Sequence, residues 1–179
     1  RRQAEVRLND LAYFDNVTGL HNRHYFRERI DAAVDRAARD GGGCALIYID
    51  LDGFKQVNDT LGHDRGDELL REVGRRLTET LRRSDGVCRL GGDEFAVILY
   101  NTDWKMAQTL GRRLQEQLAA LPAPHPAMEF SVGASVGVAQ LEFHEELEEW
   151  VARADKALYK AKQNGRERVC VAEGLTPLT

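Results

Sequence analysis

Between two short apolar runs, Val87 to Leu90 and Phe95 to Leu99, lies Gly91-Gly92-Asp93-Glu94, and this stretch limits what the chain can fold into. Two consecutive glycines suit the positive φ angles of a two-residue turn, so a tight β-hairpin is expected here. Taken alone, Asp93 and Glu94 are as readily ordinary turn polarity as chemistry. A second acidic strand end changes that balance. Cys44 to Ile49 is a near-continuous apolar run, as expected of a strand buried on both faces, and it discharges into Asp50-Leu51-Asp52. Asp50 and Asp93 side by side would suit a hard cation such as Mg²⁺, which takes one or two carboxylates plus substrate phosphates. That is a phosphoryl-transfer layout.

Around these two strands the pattern alternates helix and strand. A helix is expected over Arg1 to Phe14, where Ala4, Leu8, Leu11 and Ala12 fall close to one face. A polar loop from Asp15 to Arg23 follows, then a helix from His24 to Arg39 that closes in Asp40 and three glycines. After the buried strand come helices over Phe54 to Leu61 and Asp67 to Leu81, then the hairpin. Thr102 and Asp103 are capping residues for a helix over Met106 to Leu121, stopped by Pro122, Pro124 and Pro126. Phe130 to Val138 alternates apolar with small polar residues, the period of a half-buried strand. A last helix over Glu145 to Asn164 ends at Gly165, and Arg168 to Val171 makes a short final strand. The expected class is α+β, with mostly antiparallel strands in one sheet flanked by helices.

A length of 179 residues fits a single domain with a real core. The net charge of −4 provides no basic field for the phosphates of polymeric nucleic acid, which is excluded as a partner. Cys44, Cys88 and Cys170 stand far apart in apolar runs, with neither disulfide nor zinc spacing. A reducing, cytoplasmic setting fits. No apolar run approaches the ~20 residues that span a bilayer, so no membrane contact is expected of this segment. Because residue 1 is Arg, the chain reads as a fragment of a longer protein with an upstream sensory domain, itself able to be membrane-tethered. No Walker A pattern occurs. The histidines, His21, His24, His63, His125 and His144, lack ligand spacing.

Gly91-Gly92-Asp93-Glu94-Phe95 resembles the signature of the GGDEF-domain diguanylate cyclases, and other segments agree in family order. Asp15 to Arg23 resembles the family's opening motif; Asp50 to Lys55, with Asn58 and Asp59, resembles its metal and base segment. Gly62-His63-Asp64, Gly66-Asp67 and Lys162 to Arg166 follow. The resemblance spans Asp15 to Val171. It implies a cyclase domain over residues 15–179, preceded by the end of a signalling helix over 1–14, with a palm-like fold shared with adenylyl cyclases. It further implies condensation of two GTP into cyclic di-GMP by a homodimer, with two Mg²⁺ or Mn²⁺ ions per site.

Carried over residue by residue, the resemblance makes Asp50, the backbone carbonyl of Leu51 and Asp93 metal ligands, and Glu94 a further ligand or proton acceptor beside Gly91 and Gly92. Asp52 is left structural. Asn58 and Asp67 become guanine contacts, although Asp67 after Gly66 could equally cap its helix. Phe54, Lys55, Lys162 and Arg166 become triphosphate contacts, the last two also placed to bind the carbonyls of their own helix end. Arg82 and Asp85 have the Arg-x-x-Asp form of the family's inhibitory product site, with Arg113 as support; an i,i+3 ion pair is the plainer reading. Against an active cyclase stands a catalytically silent nucleotide-binding or dimerisation module. A third reading, a nucleotidyltransferase or polymerase palm, finds no basic template groove in this sequence.

Overall fold

Strand β1 (Cys44–Asp52) is buried at all nine positions and forms the axis of the domain. The structure is a computed structural model and describes residues 1–127 and 131–174. Helices α1 (Arg2–Tyr13) and α2 (Arg23–Asp40) precede the strand, and α3 (Phe54–Leu61) and α4 (His63–Thr80) follow it. Then come the hairpin β2 (Gly86–Gly91) and β3 (Glu94–Tyr100), α5 (Trp104–Ala119), β4 (Gly133–Gln140), α6 (Leu147–Gln163) and β5 (Val169–Val171). The five strands run in the order β2-β3-β1-β4-β5. Pairings within the first four are antiparallel, and β5 joins β4 in parallel.

Alternation along β1 decides what covers each face. Ala45, Ile47, Ile49 and Leu51 belong to a core with residues of α3, α4 and α5. Cys44, Leu46 and Tyr48 belong to the opposite core, built with Phe26 and Ile30 of α2 and Trp150 and Ala154 of α6. Asp50 and Asp52 continue that second face beyond the point where apolar residues end. The strand therefore delivers two carboxylates toward the end of α6.

Three elements differ from expectation for physical reasons. Helix α4 begins at His63, with Gly62 at its N-cap, so Asp67 lies in the second turn and the capping alternative falls away. Strand β4 is buried on both faces rather than half-buried. A Cβ on Gly137 would lie 2.3 Å from Leu158 N and 2.6 Å from Ala154 O, so α6 rests on the bare strand backbone. Gly137, which looks polar in sequence, is bare because a helix covers it, while Ser135 is buried against Asp52. Phe130, the expected start of this strand, lies outside the described residues. On α5 only Asp103 caps, accepting from Met106 N at 2.8 Å, while the Thr102 hydroxyl donates to the Tyr100 carbonyl. Helix α1 contributes no buried residue.

Candidate active site

The hairpin turn needs its glycines, since Gly91 has φ 139° and Gly92 has φ 50°, both in the region costly for a side chain. This sharp reversal returns the chain so that Asp50 and Glu94 are register partners and the Asp93 carbonyl accepts from Leu51 N at 3.1 Å. Asp50 is 6% exposed. The Asp93 carboxyl is pushed up to about 6, first by burial, then by the charge of Asp50 and a hydrogen bond with it. Two carboxylates are thus held together at a cost, which the Lys162 ammonium partly relieves by pairing with Asp50.

Both residues open on a cleft of about 440 Å³ lined also by Leu51, Gly53, Phe54, Lys55, Gln56, Lys162 and Arg166. The expected phosphate residues are therefore gathered with three of the expected metal ligands, Asp50, Leu51 and Asp93. Backbone amides, not side chains, close the end of α6: Gly165 N and Arg166 N donate to the Lys162 and Ala161 carbonyls. That removes the helix-end reading of Lys162 and Arg166, whose side chains turn to Asp50 and Asp52 instead. Glu94 is outside the cleft lining, its half-exposed carboxylate 3.8 Å from Arg23 Nη2.

Asn58 on α3 packs against Gly66 of α4, the residue before Asp67. A Cβ on Gly66 would lie 1.9 Å from Asn58 Oδ1 and 3.3 Å from Phe54 Cζ. Asn58 Oδ1 is buried with no hydrogen-bond partner among the described residues. A buried acceptor left open is costly unless a ligand donor reaches it. Elsewhere, Asp85 accepts from Arg82 N at 2.9 Å, Nε at 3.3 Å and Nη2 at 3.1 Å, which is the i,i+3 ion pair. The same two residues line a cleft of about 380 Å³ with Arg113, Met106 and Leu110.

Residues without an assigned role in sequence prove to brace the hairpin. Arg89 Nε and Nη2 donate to the Gly92 carbonyl at 3.1 and 2.9 Å, and Nη1 donates to Asp15 Oδ1 at 2.9 Å. Asp15 in turn accepts from Thr18 N and Oγ1 at 2.8 and 2.7 Å. Arg23 Nε donates to the Leu90 carbonyl at 2.9 Å. Arg29, Arg36 and Arg39, spaced to share one face of α2, line a further cleft of about 530 Å³ beside Arg82 and Arg83. Helical spacing was the only sequence signal for that group.

An α+β domain that presents paired acids and three cations in one cleft has the layout of a class: the phosphoryl-transfer domains. A family model described as diguanylate cyclase, GGDEF domain, matches residues 12–168. Diguanylate cyclase DgcP of Pseudomonas aeruginosa is 40% identical over 161 residues, covering 90% of this chain and 24% of the relative. Probable diguanylate cyclase DgcC of Escherichia coli is 41% identical over 167 residues, covering 93% of this chain and 45% of the relative. The structure of the coiled coil and GGDEF domain of DgcB from Caulobacter crescentus, in complex with c-di-GMP, matches with a TM-score of 0.88 at 29% identity. It covers 96% of this chain and 91% of that one. The chain belongs to the GGDEF-domain diguanylate cyclase family. It spans under half the length of these curated relatives.

Cyclases of this family are generally divalent-metal dependent. The residues here fit such an ion. Asp50 and Asp93 are hard oxygen donors that repel each other without a cation between them, and among the described residues no cage of three acidic, His or Cys groups exists. Two carboxylates completed by backbone and substrate oxygens match how Mg²⁺ is usually held. Among the described residues, no helix is long and apolar enough to cross a membrane.

Proposed function

We propose that this chain is the catalytic domain of a diguanylate cyclase that joins two GTP into cyclic di-GMP and releases two pyrophosphates. In each condensation a 3′-oxygen forms a bond to the α-phosphorus of the other GTP, the bond from that phosphorus to the bridging oxygen breaks, and the hydroxyl proton leaves. Lys55, Lys162 and Arg166 would hold the triphosphate, with backbone amides at the start of α3 as further donors. Asn58 Oδ1 and the Asp67 carboxylate would accept from the N–H groups of the guanine edge. Asp50, Asp93 and the Leu51 carbonyl would hold Mg²⁺ or Mn²⁺, two per site, which supply charge stabilisation at the attacking and leaving oxygens. Glu94, opposite Asp50 in the register, would take the proton or complete the ion's shell.

One cleft of this size takes one GTP, so two copies must face each other across a two-fold axis. Helix α1 supports that reading: it buries nothing and exposes Val6, Leu8 and Leu11, a surface suited to its own copy. We place it at the end of an upstream signalling segment, with a sensory domain and a cytoplasmic catalytic part. Arg82, Asp85 and Arg113 form the cleft we assign to product feedback. The observation that carries the function is the convergence of Asp50 and Asp93 with three cations in one cleft. Purified protein incubated with GTP and Mg²⁺ should yield cyclic di-GMP on chromatography. No product from a dimeric sample would leave a silent nucleotide-binding module.

A further inference from the structure

Next to the cleft, the turn that follows α6 has an uncommon backbone. Gly165 has φ 113°, and two residues with side chains follow it in the left-handed region, Arg166 at φ 63° and Glu167 at φ 47°. Consecutive L-residues hold that conformation only where their surroundings impose it. The Ala161 carbonyl, which accepts from Arg166 N at 3.0 Å, and Gln115 Nε2, which donates to the Glu167 carbonyl at 3.2 Å, help to impose it, and so does Asp52. Its carboxylate, 6% exposed, accepts from Glu167 N at 2.9 Å and from Arg166 Nη1 at 3.5 Å. Ser135 Oγ of the neighbouring strand lies 2.9 Å from both of its oxygens and holds it in place.

A link meant only to join α6 to β5 would be easier with Gly or Asn at these positions. Instead the strained position carries an arginine whose side chain is 59% exposed and lines the cleft with Lys55, Lys162 and Asp93. Because a guanidinium is a rigid fork of five donors, anchoring one nitrogen on Asp52 fixes the direction of the others. We infer that Asp52 is a positioning residue for substrate: it helps to fix the left-handed turn 165–167 and thereby aims Arg166 at the triphosphate. Asp52 touches neither the reacting atoms nor the base. The inference rests on the cleft being the triphosphate site.

The test is equilibrium binding of guanosine 5′-(α,β-methylene)triphosphate with Mg²⁺, set against GMP in competition, for wild type and four variants. Asp52→Asn and Arg166→Ala should each weaken the triphosphate about tenfold, the scale of one charge-assisted contact, and leave GMP unchanged. The double variant should bind no more weakly than Arg166→Ala, because the two residues act through one contact. Ser135→Ala, a milder loosening of Asp52, should shift the triphosphate in the same direction by about threefold, and carries the test if Asp52→Asn does not fold. Wild-type triphosphate affinity in Asp52→Asn or Ser135→Ala, beside a weakened Arg166→Ala, overturns the inference and makes Asp52 a brace of the fold alone. Unchanged affinity in Arg166→Ala is a different result, which removes the triphosphate reading of that side chain and the inference with it.

Discussion

Two buried carboxylates in this domain each pair with a partly exposed cation, and they differ in what they leave unsatisfied. The side chain of Asp85 is fully buried, yet Arg82, three residues away, serves it with a backbone and two guanidinium nitrogens while also reaching the Tyr100 carbonyl and Thr102. That pair is closed on itself. Asp50 meets Lys162, which lies 112 residues along the chain, and also faces Asp93, whose carboxyl is pushed up to about 6. Lys162 pairs with Asp50, and Asp93 has no ion-pair partner among the described residues. A closed pair supports the fold and can be opened by a competing ligand, whereas an open one waits for a cation.

Removing a carboxylate from the open pair should have the largest effect. Asp93→Ala and Asp50→Ala are each expected to lower product formation by at least about a thousandfold, since the ions we assign there would offset several kcal/mol of transition-state charge. A variant keeping a few per cent of activity with normal Mg²⁺ dependence would end the metal assignment. Stability should move the other way. The Asp93 carboxyl has its pKa raised in the folded protein, so folding favours its protonated form. With metal chelated, its ionisation penalty is absent below the unfolded value, near 4, and grows until it is complete above about 6. Asp93→Asn should therefore raise the metal-free Tm at pH 7.5, and its advantage should shrink toward pH 5. A constant offset at both pH values would mean that the pair is not strained.

The next effect belongs to the brace that holds the open pair in place. Arg89→Ala frees the Gly92 carbonyl and leaves Asp15 without its cation, at a site where both side chains are largely buried. Because the hairpin sets the distance between Asp93 and Asp50, an ångström of drift should cost about a hundredfold in kcat/KM. Asp15→Asn, which keeps the shape and weakens the charge, should show a smaller loss. Full activity in Arg89→Ala, measured at saturating Mg²⁺, would show that the glycine turn holds its form unaided.

How far each region could be read from sequence follows from the range of its contacts. The hairpin and the helix after Asp50 carry their signals within a few residues, and the structure repeats them to within a residue, while the buried strand runs three residues further than expected, through Asp52. Asp67 read as a possible cap because Gly66 resembles a helix boundary; in the fold that glycine lies inside α4, where Asn58 leaves no room for a Cβ. Ser135 and Gly137 read as a polar face because smallness looks like polarity until α6 is known to cover Gly137 and Asp52 to hold Ser135. Arg89 read as strand material, since its partner Asp15 is 74 residues away. Asp52 was legible as structural, but not what it holds. Long-range pairs of this kind leave no local trace.

The smallest effect on rate is expected at the closed pair, and it is the sharpest test of the comparison. Arg82→Ala leaves Asp85 with the Arg82 backbone amide but without a guanidinium, so Tm should fall by a few degrees. Neither residue lines the cleft that holds Asp50 and Asp93. The initial rate should therefore remain within about twofold of wild type, the scale of variation at sites outside such features. Feedback should change far more. A product with two phosphates and two guanines offers an arginine phosphate oxygens and a guanine edge, and offers Asp85 guanine N–H donors, so it can replace each residue's present partner. Coupling between such a cleft and a distant active site is commonly ~1–3 kcal/mol, or about 5–150-fold. The concentration of cyclic di-GMP that halves pyrophosphate release should rise by a factor in that range in Arg82→Ala, and by less in Arg113→Ala, which lines the cleft without touching the pair. Superimposable inhibition curves for wild type and Arg82→Ala would make the closed pair a fastener between the end of α4 and the loop before α5, with no ligand of its own.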